Sequence, residues 1–294
     1  MEEAITNEVK QRETELVALL SKLIAFPTVS PPARNTNDVQ EFIQHYLMNL
    51  GFKTDKWDVY PNDPNVVGTL QGESPREYNS LIINGHIDVA EVGVGEEWSS
   101  SPFTLKVQNP YLYGRGVADM KGGIAASLIA IKLLKELGIT LQGDLQFQSV
   151  IGEEVGEAGT LACIERGYTA DYAVVVDTSD LHIQGQGGVI TGWITIESKE
   201  TFHDGLRRTG TRQLISSYEK MLNQSPFVGM SETVTDAGWL GRAGIPTVIF
   251  GPGKLEDAHA VNEKVEIQQL LDFTKILAVF MAKWCNTKKE EVKI

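Results

Sequence analysis

Apolar residues recur at helical spacing through residues 5–26, with Val9, Leu16, Leu19, Leu20 and Leu23 on one face. Pro27 cannot continue a helix, so this pattern predicts one long N-terminal helix that stops there. A second helix is predicted over Asn37–Leu50, closed by Gly51. Met120–Leu137 is the strongest helical segment: Ile124, Leu128, Ile131 and Leu134 share a face and Gly138 supplies a C-terminal cap. Further helices are expected over Gly159–Arg166, Gln213–Asn223 and Glu266–Trp284. Between them lie short apolar runs of strand length: Phe52–Tyr60, Asn65–Leu70, Leu81–Asn84, Gln146–Ile151, Tyr172–Val176, Val189–Ile196 and Thr247–Phe250. Short apolar strands alternating with long amphipathic helices predict an α/β layer structure with helices on both faces of a sheet.

Composition narrows the function classes. Lys and Arg number 26 against 39 Asp and Glu, a net charge of −13, and a field of that sign disfavours nucleic acid or an anionic membrane surface as partner. The apolar runs Ile124–Ile131 and Ile276–Ala282 fall far short of the ~18 residues of a membrane span. The start, Met1-Glu2-Glu3-Ala4, is acidic and lacks the apolar stretch of a secretory signal, so a cytoplasmic location is expected. Cys163 and Cys285 stand far apart, with no paired-cysteine motif, and read as buried small hydrophobes in a reducing compartment.

Chemistry gathers where predicted strands end, which is where open α/β sheets place their functional loops. Leu81–Asn84 runs into Gly85-His86-Ile87-Asp88, and Val150-Ile151 into Gly152-Glu153-Glu154. Ala173–Val176 ends in Asp177, Val248–Phe250 leads through Gly251-Pro252-Gly253 to His259, and Asp119 precedes the helix at Met120. Singly, each is most simply a solvated or capping group; Asp119, for example, could satisfy the helix N-terminus. Together, two histidines and several carboxylates on separate loops suit one or two borderline cations such as zinc. A carboxylate shared by two cations can hold them ~3.5–4 Å apart, where they activate a water and polarise a carbonyl. A ligating His usually donates its second N–H to a carboxylate, the role open to Asp88. Of Glu153-Glu154, one carboxylate can bind metal while the other moves a proton.

Gly85-His86-Ile87-Asp88-Val89, Tyr113-Gly114-Arg115-Gly116-Val117-Ala118-Asp119-Met120-Lys121-Gly122-Gly123, Gly152-Glu153-Glu154 and Gly251-Pro252-Gly253 with His259-Ala260-Val261-Asn262-Glu263 resemble the motifs of the M20 zinc metallopeptidases. Within that family the motifs look most like the branch of acetylornithine deacetylase and succinyl-diaminopimelate desuccinylase. The resemblance spans about residue 10 to 285 and implies a three-layer α/β sandwich with a mixed, mostly parallel central sheet. It implies two zinc ions, with Co or Mn as substitutes. His86 and Asp177 would hold one and Glu154 and His259 the other, with Asp119 bridging. It further implies Asp88 as the partner that orients His86, and Glu153 as general base and then general acid. The expected substrate is a small N-acyl amino acid whose amide bond is hydrolysed.

One departure is large. Members of that family interrupt the catalytic domain with a lid-like domain that dimerises and supplies an oxyanion-stabilising His. Here Val189–Ser198 leads through Phe202-His203-Asp204 to Thr209-Gly210-Thr211 and directly into a helix. Residues 1–294 therefore read as a single catalytic domain with a deletion seam near 208–210, and as a monomer. His203 reads as a surface remnant of the lid motif. A smaller departure is Asp177-Thr178-Ser179, where relatives carry Pro after the acid. Two alternatives remain: a lidless zinc aminopeptidase, and a metal-binding remnant without activity. Arg115 is expected to brace the Asp119 loop, Trp239 to line the substrate pocket, and His45 and His182 to be structural or exposed.

Overall fold

The computed structural model of the chain describes residues 1–93, 97–156, 158–186, 209–231 and 233–289. Strands β1 (Lys53–Tyr60), β2 (Asp63–Leu70), β3 (Leu81–His86), β6 (Leu145–Val150), β7 (Tyr172–Val175), β8 (Ile183–Gly185), β9 (Val228–Met230) and β10 (Thr247–Ile249) form an eight-stranded sheet in the order β1-β2-β6-β3-β7-β10-β8-β9. Its centre, β6-β3-β7-β10, is parallel; β1 and β2 join one side antiparallel, and β8 pairs antiparallel with β10 on the other. Every residue of β3 and β7 is buried, as expected of strands covered on both faces. A small antiparallel sheet of β4 (Lys106–Gln108), β5 (Tyr111–Tyr113) and β11 (Lys264–Glu266) stands apart.

Helices α1 (Glu2–Lys10), α2 (Glu13–Ile24), α3 (Asn37–Asn49), α4 (Lys121–Glu136), α5 (Gly159–Glu165), α6 (Thr209–Leu222), α7 (Ala237–Arg242) and α8 (Ile267–Trp284) flank the sheet. The pleat of β3 shows the two faces. Asn84 hydrogen-bonds Thr160 of α5 on one side, and Gly85 lies against Met120, just before α4, and Ile124 of α4 on the other. Helices α1, α2 and α8 pack around α4, whereas α5 and α7 pack together on the opposite face. The three-layer sandwich expected from sequence is the observed one.

The expected single helix over residues 5–26 is two helices. The Gln11 and Arg12 amides bond one residue short, to Glu8 and Val9 carbonyls, and close α1. The Arg12 guanidinium meets Glu8, Glu15 and Glu136 at that corner, so ion pairing stabilises a break that hydrophobic periodicity cannot register. The expected strand Val189–Ile196, His203 and the start of the expected seam at 208 lie outside the described residues. Among the described residues, no helix is long and apolar enough to cross a membrane.

Candidate metal centre

Because the four central strands are parallel, their C-terminal ends open on one edge of the sheet, and the residues that follow them converge there. His86 is the last residue of β3. Its Nδ1 lies 3.0 Å from the main-chain carbonyl of Asp88, which fixes the ring N–H at Nδ1 and turns Nε2 toward the cluster. Nε2 stands 3.2 Å from Asp119 Oδ1 and 3.9 Å from Glu153 Oε2.

Glu153–Val155 form a single 3-10 turn after β6. The turn begins at Gly152 with φ +80° and ends at Gly156 with φ +70°, left-handed conformations that glycine adopts without strain. The tightness of this turn sends the two adjacent carboxylates different ways: Glu153 toward His86, and Glu154 Oε2 to 2.8 Å from His259 Nε2. The buried Asp88 carboxylate organises the turn by accepting the Gly152 and Glu154 amides at 2.9 and 3.2 Å. Sequence reasoning expected this carboxylate to orient His86. It stands 3.6 Å from Nδ1, and the Asp88 carbonyl at 3.0 Å is the nearer hydrogen-bond acceptor.

Asp119 sits between the histidines. Its Oδ1 faces His86 and its Oδ2 lies 3.2 Å from His259 Nε2, so each carboxylate oxygen meets a different imidazole. Asp177 follows β7, is buried, and accepts the Thr178 amide on Oδ1 at 2.7 Å. The Thr178 hydroxyl donates to the Ala118 carbonyl at 2.9 Å, linking the Asp177 loop to the Asp119 loop. In the sequence, Thr178 stands out only as a departure from Pro. Its hydroxyl was the available signal.

The electrostatics describe a site short of positive charge. Burial pushes the Asp177 carboxyl well above the ordinary range, and the neighbouring Asp119 charge adds to this. Burial likewise pushes Glu153 up to about 9, with Asp177, Asp236 and Asp119 adding to the rise and His86 opposing it. Hydrogen bonds to Asp119 and Glu154 raise His259 to about 10. His86 is raised despite its burial by the surrounding carboxylates. Asp119, although buried, is held below the ordinary range by the two imidazoles. Two buried carboxylate oxygens, Asp119 Oδ1 and Glu154 Oε1, have no hydrogen-bond partner among the described residues. Buried acceptors left without donors are costly unless a cation or water meets them. Together with His86, these residues offer ligand atoms within 4.8 Å of one another. Imidazole nitrogens and carboxylate oxygens, with no thiolate, are a donor set that suits zinc and similar divalent cations. The residues fit a metal.

Asp236, at the start of α7, is also buried near this cluster. Its Oδ2 has no hydrogen-bond partner among the described residues, and burial raises it to about 6. No motif of the sequence marks Asp236 as part of the site; it stands only within Thr235-Asp236-Ala237-Gly238-Trp239, where Trp239 is the residue expected to matter. Trp239 is half-buried on α7, His45 is exposed, and the His182 ring packs against Phe227. Both cysteines are free and buried.

Comparisons with known proteins agree with this architecture. The profile of peptidase family M20/M25/M40 matches residues 82–283. An N-formyl-4-amino-5-aminomethyl-2-methylpyrimidine deformylase from Bacillus subtilis (strain 168) is 39% identical, covering 98% of this chain and 99% of the relative. That alignment runs over 420 positions against the 294 residues of this chain, so more than a hundred positions of the relative have no counterpart here. A probable succinyl-diaminopimelate desuccinylase from Staphylococcus aureus (strain MRSA252) is 31% identical over 159 residues, 54% of this chain and 37% of the relative. Human carnosine dipeptidase 1 superposes with a TM-score of 0.80 at 14% identity, covering 98% of this chain and 100% of that one, a likeness of fold. A sequence match over two-thirds of the chain, a span that includes the loops gathered at the sheet edge, makes this protein a member of peptidase family M20/M25/M40.

Proposed function

We propose that this chain is a two-zinc hydrolase that cleaves the formyl amide of an aminomethylpyrimidine or a closely similar N-formyl amine. The observation that carries the reading is Asp119, whose two oxygens each lie 3.2 Å from the Nε2 of a different histidine. That is the arrangement a carboxylate needs to be shared by two cations. In this reading His86 and Asp177 hold one ion, Glu154 and His259 hold the other, and Asp119 belongs to both. When bound, the ions supply Lewis-acid polarisation of the amide carbonyl and acidify water.

The remaining chemistry belongs to the chain. Glu153 is the carboxylate left over, partly open to solvent and poised beside His86. Its Oε2 accepts one proton from the attacking water and returns it to the leaving amine nitrogen as the C–N bond breaks, giving the amine and formic acid, which then ionises to formate and a proton. Asp88 fixes the turn that aims Glu153, and its carbonyl holds the tautomer that leaves His86 Nε2 free to bind metal. The formyl substrate is preferred because the relatives matched over nearly their whole length, 39% and 40% identical, bear that activity in their names.

A second reading, hydrolysis of acetylated or succinylated amino acids such as acetylornithine, draws support from the desuccinylase match over half the chain. The chain also reads as the catalytic domain without the family's inserted lid, and hence as a monomer. The length of the alignment gap supports that part. A panel tests the assignment. Zinc-loaded protein is assayed by product release with the formyl-aminopyrimidine, acetylornithine, succinyl-diaminopimelate and an aminoacyl anilide. The proposal expects the highest kcat/KM for the first. A preference for the acyl amino acids selects the second reading, a preference for the anilide selects a lidless aminopeptidase, and loaded protein inert toward all four is a metal-binding remnant.

A further inference from the structure

Arg115 and Glu263 form a buried ion pair, with Nη1 donating to Oε2 at 2.8 Å. Their other contacts reach both sides of the candidate metal centre. Glu263 Oε2 also accepts the Gly116 amide at 2.9 Å, and Oε1 accepts the Ala118 and Asp119 amides at 2.7 and 3.0 Å. The loop that presents Asp119 is thus held at three of its amides by one carboxylate. Arg115 Nη2 donates to the Glu91 carbonyl at 2.8 Å and to the His259 carbonyl at 3.1 Å. His259 stands at φ +59°, a left-handed conformation that non-glycine residues keep only where surrounding contacts hold them. The guanidinium on its carbonyl is such a contact. The imidazole itself is half-exposed and, unlike His86 at the end of a central strand, has no sheet to hold it.

We infer that Arg115 and Glu263 are positioning residues which set Asp119 against His259, and so govern the metal subsite built from His259 and Glu154 more than the one built on His86 and Asp177. The inference rests on the metal reading given above. Burying a charged pair is expensive and gives little net stability, so a purely structural purpose is poorly served by it. A carboxylate collecting three loop amides and a planar fork reaching two carbonyls instead fix geometry, and Lys cannot reproduce the fork.

The test is calorimetric titration of zinc into metal-free full-length chain, for the parent, Glu263→Gln and Arg115→Lys, with circular dichroism to verify folding. The expected result is that the weaker binding event loses about 10–100-fold in affinity in the variants, the scale typical of lost ligand support, while the other changes by less than about 3-fold. Arg115→Lys keeps the charge and guards against a failure of Glu263→Gln to fold. Folded variants with both affinities at parental values, or with both weakened equally, overturn the positioning role while leaving the metal reading intact. A parent that binds no zinc overturns both.

Discussion

Replacing Thr178 by Val tests how the ligand loops are joined. The Thr178 hydroxyl is buried and donates to the Ala118 carbonyl at 2.9 Å, one residue before Asp119. Val has nearly the same shape, so the change opens no sizeable cavity; it removes a donor and leaves a buried carbonyl without one. A net hydrogen bond is worth about 1 kcal/mol, and an orphaned buried acceptor raises the loss to about 1–3 kcal/mol. With an unfolding entropy of about 2 cal/mol/K per residue, a chain of 294 residues loses about 2–5 °C in Tm for that change. The assay is thermal and urea unfolding of metal-free protein, so that lost metal does not contribute. Thr178→Ser is the control: it keeps the hydroxyl and gives up one methyl, about 0.8 kcal/mol if fully buried. The reasoning is refuted if Thr178→Val costs less than about 0.5 kcal/mol, or if Thr178→Ser costs as much.

Other consequences concern protons and packing. Hydrogen bonds to Asp119 and Glu154 push the His259 imidazole up to about 10, from an ordinary value near 6.5. Its stabilisation of the metal-free protein is therefore complete below about pH 6.5 and is lost as pH rises toward 10. The Tm of metal-free parent should fall across that window more than that of His259→Gln, and equal slopes would remove His259 from the account. Loading zinc must displace the same proton, so titration in weak buffer near pH 8 should release about one proton more from the parent than from His259→Gln. Gly123 sits where α4 approaches the end of β7, and an added Cβ would fall on the Val176 carbonyl oxygen. Gly123→Ala should destabilise by about 1–3 kcal/mol or more in urea unfolding, because the obstacle is backbone.

The legible parts of this protein were those governed by local pattern. Leu81–Asn84 and Tyr172–Val176 are continuous apolar runs because their strands are covered on both faces, and the structure places them at the sheet centre. Met120–Leu137 declared its length through a glycine stop, and α4 differs only by a residue at each end. The three-residue strands β4, β5, β8, β9 and β11 were not anticipated. Segments such as Lys106–Gln108 carry no periodicity and owe their conformation to the strand beside them. At the site, the residues brought together were visible as histidines and acids at strand ends, but their partners were not. That Asp88 uses its carbonyl for His86 and its carboxylate for the Glu153 turn depends on atoms that sequence spacing cannot separate. Glu263 was visible only as the last residue of a motif, because the amides it collects lie about 145 residues away in the chain.

In the proposed function these loops hold metal for amide hydrolysis while Glu153 moves the proton. Glu153→Gln separates the two roles, since the amide keeps the shape of the side chain and cannot accept the proton. Metal content and formate release are measured on the same preparations of parent and variant with the formyl-aminopyrimidine. Equal zinc content and a loss of turnover of about 10²–10⁴-fold are expected. A variant that keeps parental turnover, or that loses its zinc together with its activity, contradicts this assignment.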